Sequence, residues 1–143
     1  MVREAENLEN RDNKEILENF CKEWLNAWTG NNPEKLIDFY ADDAYYRDPA
    51  NPEGINEREL LFKYFKKLLE RNPNWKWKLV EFFPTEKGFN FKWKATIPIE
   101  TEQIIEYGMD IVEIDPLCKR KVKRNEVYFD RTKLFSTLKK SNQ

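Results

Sequence analysis

The spacing of apolar residues changes period once along this chain, and that change constrains the fold more than any other feature. From Asn13 onward Ile16, Leu17, Phe20, Trp24, Leu25 and Trp28 fall three or four residues apart, as on one face of a helix. Thr29-Gly30-Asn31-Asn32 stops it, because Gly and Asn accept the left-handed conformation of a C-cap. Asn32 then caps a second helix with Pro33 at its first position, carrying Leu36, Ile37 and Tyr40. A third helix is predicted over Glu57 to Arg71, with Leu60, Leu61, Tyr64, Phe65 and Leu68 on one side and Asn72-Pro73 beyond it. Before it, Ala44 to Asp48 reads as a short strand, and Ala50 to Asn56, with Pro49, Pro52 and Gly54, as a loop.

After Pro73 the period becomes two. Trp75, Trp77 and Leu79 alternate with lysines up to about Phe83, and Phe89, Phe91, Trp93, Ala95 and Ile97 alternate with polar residues. Further strands are predicted over about Gln103 to Ile114 and Lys121 to Phe129, with a turn at Asp115-Pro116. Consecutive strands joined by short turns form an antiparallel meander, and helices followed by a meander define an α+β fold. The expected organisation is a polar tail over 1–12, one domain over 13–139 and a short tail over 140–143.

The strand from 104 to 114 is apolar on both faces. Ile105, Tyr107, Met109 and Ile111 occupy one; Glu106, Gly108, Asp110, Val112 and Ile114 occupy the other. Only one face can look onto the helices, so the other calls for cover, and a homodimer through the outer sheet face is the expectation.

Charge narrows the functional classes. The chain carries 25 basic and 26 acidic residues, so no net field draws it to nucleic acid or to a membrane surface. Lysines alternate with rings in Trp75-Lys76-Trp77-Lys78 and Phe91-Lys92-Trp93-Lys94, but strict alternation puts rings and lysines on opposite faces, unlike a nucleic-acid platform. Histidine is absent, which removes histidine triads and the commonest metal ligands; no metal or cofactor is expected. Cys21 and Cys118 form no framework or metal spacing. Neither an apolar leader nor a bilayer-length apolar run is present, so cytoplasmic residence is the expectation. Proton transfer, if any, falls to Asp, Glu, Tyr, Lys or Cys.

The run Phe39-Tyr40-Ala41-Asp42-Asp43-Ala44-Tyr45-Tyr46-Arg47-Asp48-Pro49, the stretch Gly108 to Asp115, and Val127-Tyr128-Phe129-Asp130 together resemble the SnoaL-like and ketosteroid-isomerase-like proteins of the nuclear-transport-factor-2-like superfamily. The resemblance covers about residues 13–132. It implies a cone-shaped half-barrel, a curved antiparallel sheet wrapped around three helices, with a pocket at the open end. It also implies that Asp48 is the base and Asp110 the hydrogen-bond-donating or acid/base aspartate. Trp24 stands where the isomerases have an oxyanion-binding tyrosine, Tyr40 keeps a supporting tyrosine, and Phe65 replaces another. An indole donates a hydrogen bond but cannot give up its proton at ordinary pH, which argues against steroid isomerisation by the same route.

The residues themselves leave alternatives open. Asp before Pro at a strand end often only bonds loop N–H groups, so Asp48 can be structural. Asp110, on an apolar strand face, needs either a pocket or an ion pair, for which Lys94 and Arg124 are candidates. Glu106 is a rim residue or a site residue. Trp24 and Trp28 fit core packing as readily as ligand contact. Tyr46, Trp93, Asn125 and Phe129 complete the candidate wall. The leading expectation is a cofactor-free acid/base enzyme (isomerisation, cyclisation, dehydration or hydrolysis) acting on a small, largely apolar organic molecule. The alternative is a non-catalytic binding or sensing domain of the same fold.

Overall fold

The computed structural model describes residues 2–118 and 120–132, with side chains from residue 11 onward. The order of elements is α1 (Val2–Asn26), α2 (Pro33–Ile37), β1 (Tyr40–Asp48), β2 (Asn51–Ile55), α3 (Arg58–Arg71), β3 (Lys76–Pro84), β4 (Gly88–Ile99), β5 (Glu102–Ile114) and β6 (Val122–Tyr128). The six strands form one unclosed, curved sheet in the order β2-β1-β6-β5-β4-β3, and the three helices pack against it in an α+β cone.

Two local expectations need correction. The first helix begins at Val2, within the stretch read as a tail. Residues 2–12 have no Gly or Pro and carry three Glu, two Arg, one Ala and one Leu, which extend a helix once it is nucleated. The loop over 50–56 contains β2, paired antiparallel with β1 through Tyr46↔Ile55 and Asp48↔Asn51. Pro52 is compatible with a strand because β2 is the sheet edge, where a missing N–H leaves no ladder bond unmade. Gly54 sits at φ +84° with the Tyr45 ring against it, so a side chain there would be strained and would clash. The expected tail over 140–143 lies outside the described residues.

The sheet is not wholly antiparallel. β3 through β6 form the meander, but β1 joins β6 in parallel, with Tyr46 beside Asn125 and Arg47 beside Glu126. This pairing brings the start of the domain against its end. It also puts the inner faces of β1 and β6 on one wall.

Burial follows the two periods. Along β4 Phe89, Phe91, Trp93, Ala95 and Ile97 are buried while the intervening residues are partly exposed. On α3, Leu61, Phe65 and Leu69 are buried; Leu60, placed on the inner stripe by spacing, is 50% exposed. Trp24, fully buried, stacks edge-on against Trp28, Tyr40 and Phe91 at centroid distances of 6.3, 6.1 and 5.6 Å. The turn after α1 is tied to the α3–β3 connection by Gly30 N–H to Pro73 O (2.9 Å) and Thr29 Oγ1 to Trp75 O (2.9 Å). Those bonds fix Trp28 and Trp75 at the open end of the cone. Among the described residues no helix is long and apolar enough to cross a membrane.

Candidate functional site

A cavity of about 390 Å³ opens between the end of α1, the C-terminal half of α3, and the ends of β1, β3 and β6. Six residues singled out from sequence line it: Trp28, Tyr46, Asp48, Trp93, Asp110 and Phe129. The other four, Trp24, Tyr40, Phe65 and Asn125, do not; at 1% exposure or less they lie behind the cavity wall.

Asp110 projects inward from β5 and is 4% exposed. Its cross-strand partners are Phe91 on β4 and Val127 on β6, and its diagonal neighbours reach its oxygens. The Trp93 indole N–H donates to Oδ1 at 2.7 Å and the Asn125 amide donates to Oδ2 at 2.9 Å. Gly108 makes the first bond possible. It lies opposite Trp93, and the bare backbone lets the indole lie across β5; a Cβ would overlap the ring. The ion-pair alternative fails, since Arg124 is held by Glu113 and Glu126, and among the described residues Asp110 enters no salt bridge. Burial pushes the Asp110 carboxyl up to about 7, with a smaller push from the nearby Asp48 charge, against the pull of the Asn125 and Trp93 donors. Near neutral pH this group therefore divides between acid and carboxylate.

Asp48 differs in kind. At the end of β1 its Oδ2 accepts from Tyr46 (2.7 Å) and Tyr64 (2.5 Å), and its Oδ1 accepts from both the backbone N–H and the side-chain amide of Asn51 (2.9 Å each). The loop-bonding role and the cavity-lining role thus coexist in one side chain. Burial, followed by the Asp48 charge, drives both phenols above the ordinary tyrosine range, so they remain donors.

Behind the wall the Tyr40 hydroxyl donates to Asn125 Oδ1 at 2.8 Å. Its ionisation is pushed up by burial and by the Asp110 charge. The Trp24 indole N–H meets no acceptor at hydrogen-bonding geometry, yet it lies near enough to the Tyr40 oxygen to oppose that push. We read this contact as electrostatic, not as a formed bond.

Sequence reasoning missed Tyr64, Trp75 and Trp77 as cavity residues. Tyr64 carried a signal, since a phenol on an otherwise apolar helix stripe must find an acceptor. Trp77 packs against Trp93 at 5.0 Å and Trp28 at 6.4 Å, completing a box of indoles. Arg71 and Arg131 also line the cavity. Glu106 stays off the lining, and among the described residues no cluster of His, Cys, Asp or Glu could hold a metal.

The fold and this cavity define an α+β cone whose open end presents carboxylates among aromatic rings. The sequence profile of the SnoaL-like domain matches residues 21–115, and the chain belongs to that family. Its structure is similar to a protein from Shewanella putrefaciens assigned as a SnoaL-like polyketide cyclase (11% identity, 87% of this chain and 86% of that one, TM-score 0.73). It is also similar to the epoxide hydrolase/cyclase-like enzyme SalBIII of salinomycin pyran-ring formation (11%, 82% and 93%, TM-score 0.68). A third likeness is to a ketosteroid-isomerase-like fold from Catenulispora acidiphila in complex with trimethylamine (16%, 78% and 85%, TM-score 0.67). No curated protein matches the chain.

Proposed function

We propose that this protein is a small-molecule acid/base enzyme, with Asp110 exchanging a proton with a largely apolar substrate held in the indole box. One observation carries the reading: a buried carboxyl lines the cavity with its proton affinity raised to near neutrality, where donor and acceptor roles are both accessible. Asp48, its oxygens occupied by four donors, orients Tyr46 and Tyr64 and supplies negative charge. It is a positioning carboxylate more than a second base. The similarity to cyclase-like and hydrolase-like structures agrees with isomerisation, cyclisation or ring-opening chemistry. The test is a turnover screen of small ketones, esters and epoxides with Asp110→Asn alongside; a substrate converted equally well by both proteins removes the reading.

The saturation of Asp48 also favours a second reading, a binding domain without chemistry. Ligand capture with no conversion of any tested class would select it.

The outer face of the sheet supports a proposal about assembly. Tyr107 and Met109 on β5 and Tyr128 on β6 are 51, 43 and 45% exposed, Met109 lies opposite Tyr128, and Lys92 stands over the Tyr107 ring. We propose a homodimer through this strip. Light scattering is expected to give twice the chain mass for the wild type and a monomer for Met109→Glu. A wild-type monomer at tens of micromolar would exclude it.

A further inference from the structure

We propose that the indole box is a binding site for organic cations, small ammonium ions whose substituents are methyl or other apolar groups, with Asp48 and Asp110 supplying the countercharge. The inference shares with the acid/base reading only that Asp110 faces the cavity, and it holds whether or not chemistry follows.

The walls carry the first half of the case. Four of the chain's five tryptophans, Trp28, Trp75, Trp77 and Trp93, line this one cavity. An indole has the most electron-rich face of the side-chain rings, and it attracts a cation lying within about 6 Å of its centroid. A stack of parallel rings would hide those faces. Here neighbours meet at steep angles instead: Trp77 lies at 80° to Trp93, 61° to Trp28 and 53° to Trp75, with centroids 5.0, 6.4 and 6.1 Å apart. Rings set at such angles form the panels of a box. The Trp93 N–H is already given to Asp110, so what that ring has left for a ligand is its π face.

The charge inside has the sign that a cation needs. Asp110 and Asp48 both line the cavity and are buried. The donors on their oxygens are neutral: Trp93 and Asn125 on Asp110, and Tyr46, Tyr64 and Asn51 on Asp48. Neutral donors hold a carboxylate in place without cancelling its charge. Among the described residues Asp110 enters no salt bridge, so a cation in the box would be the opposite charge it lacks. The other titratable groups around it stay neutral, because burial holds Tyr40 and Tyr46 on β1, Tyr64 on α3 and the Cys21 thiol on α1 protonated. Against a cation stand Arg71, at the end of α3, and Arg131, whose charge acts on Tyr64. Arg71 is exposed and Arg131 partly so, and solvent screens them more than it screens the buried carboxylates. A bare ammonium would lose too much hydration on entry; apolar substituents lower that loss and give the rings surface to bury.

The full-length protein tests this with choline and its neutral isostere 3,3-dimethyl-1-butanol, in which carbon replaces the charged nitrogen, both read by tryptophan fluorescence. Choline is expected to bind about tenfold more tightly at pH 8, although the butanol is the more hydrophobic of the two. Choline keeps its charge at every pH, so its advantage should shrink at pH 5.5, where Asp110 has taken up its proton. Reciprocally, saturating choline should lower the pH at which Asp110 titrates, followed by carboxyl NMR, and the butanol should not. Asp110→Asn should reduce the advantage at pH 8 and abolish its pH dependence while leaving the butanol affinity unchanged. Trp77→Leu should weaken choline more than the butanol. Butanol bound as tightly as choline at pH 8 overturns the inference, as does an advantage undiminished both at pH 5.5 and in Asp110→Asn. Turnover of neutral ketones with no preference for choline also sinks it and leaves the enzyme standing. A choline preference with no compound ever turned over does the reverse.

Discussion

Asp110→Asn is expected to abolish most turnover, by about 10²–10⁴-fold, while making the protein more stable above neutral pH. The folded state holds the Asp110 proton up to about pH 7, whereas the unfolded chain releases it near the ordinary carboxyl value of 3.8. Between those values the native state binds more protons than the unfolded state, so this group's contribution to stability falls as pH rises through the window. Above it, keeping the buried carboxylate ionised costs on the order of 4 kcal/mol relative to water. Asparagine is nearly isosteric and uncharged. Its oxygen accepts from Trp93 as the carboxylate does. Urea unfolding of variant and wild type at pH 4.5 and pH 8 isolates the effect, because all other groups cancel in the difference. The variant's advantage should be small at pH 4.5 and reach a few kcal/mol at pH 8; an advantage independent of pH would show that Asp110 is not desolvated.

Trp24→Ala should cost about 3–5 kcal/mol. The indole is fully buried, packs edge-on against three rings, and has no hydrogen bond to lose, so the loss is contact and cavity. In a chain of this length that corresponds to roughly 10–17 °C in melting temperature. Thermal unfolding measures it, and a fall below about 1 kcal/mol would mean that Trp24 faces the cavity and not the core. Trp24 thus occupies the place of a family donor while serving chiefly as packing beneath Tyr40.

The period change at Pro73 made the fold class legible, because three helices and a meander have few ways to share one core. The parallel β1–β6 pair could not be read in the same way, since alternation shows which face of a strand is buried and not which strand lies beside it. β2 was hidden by Pro52 and Gly54, whose turn chemistry resembles that of an edge strand. Inward orientation of Asp110 and Asp48 was recoverable from period two and from the family resemblance. Their partners were not, because Tyr64 reaches Asp48 from α3, Asn51 from the start of β2, and Trp93 reaches Asp110 diagonally from its place opposite Gly108. Tyr40 and Asn125 were named as wall residues, and the structure places them one layer deeper, where they act on the carboxyl and not on the ligand space.

Tyr40 and Asn125 stand 85 residues apart in sequence, yet their bond joins neighbouring strands, Tyr40 lying beside Val122 and Asn125 beside Tyr46. During synthesis β1 must wait, with its inner rings unsatisfied, until β6 has left the ribosome to pair beside it. Folding of this domain is therefore governed by a late, long-range closure, which is slow compared with the hairpins of the meander. A chain truncated before residue 122 would keep the α3, β3, β4 and β5 segments but lack the strand that joins Asp48 to Asp110, and no partial product of translation could carry the site.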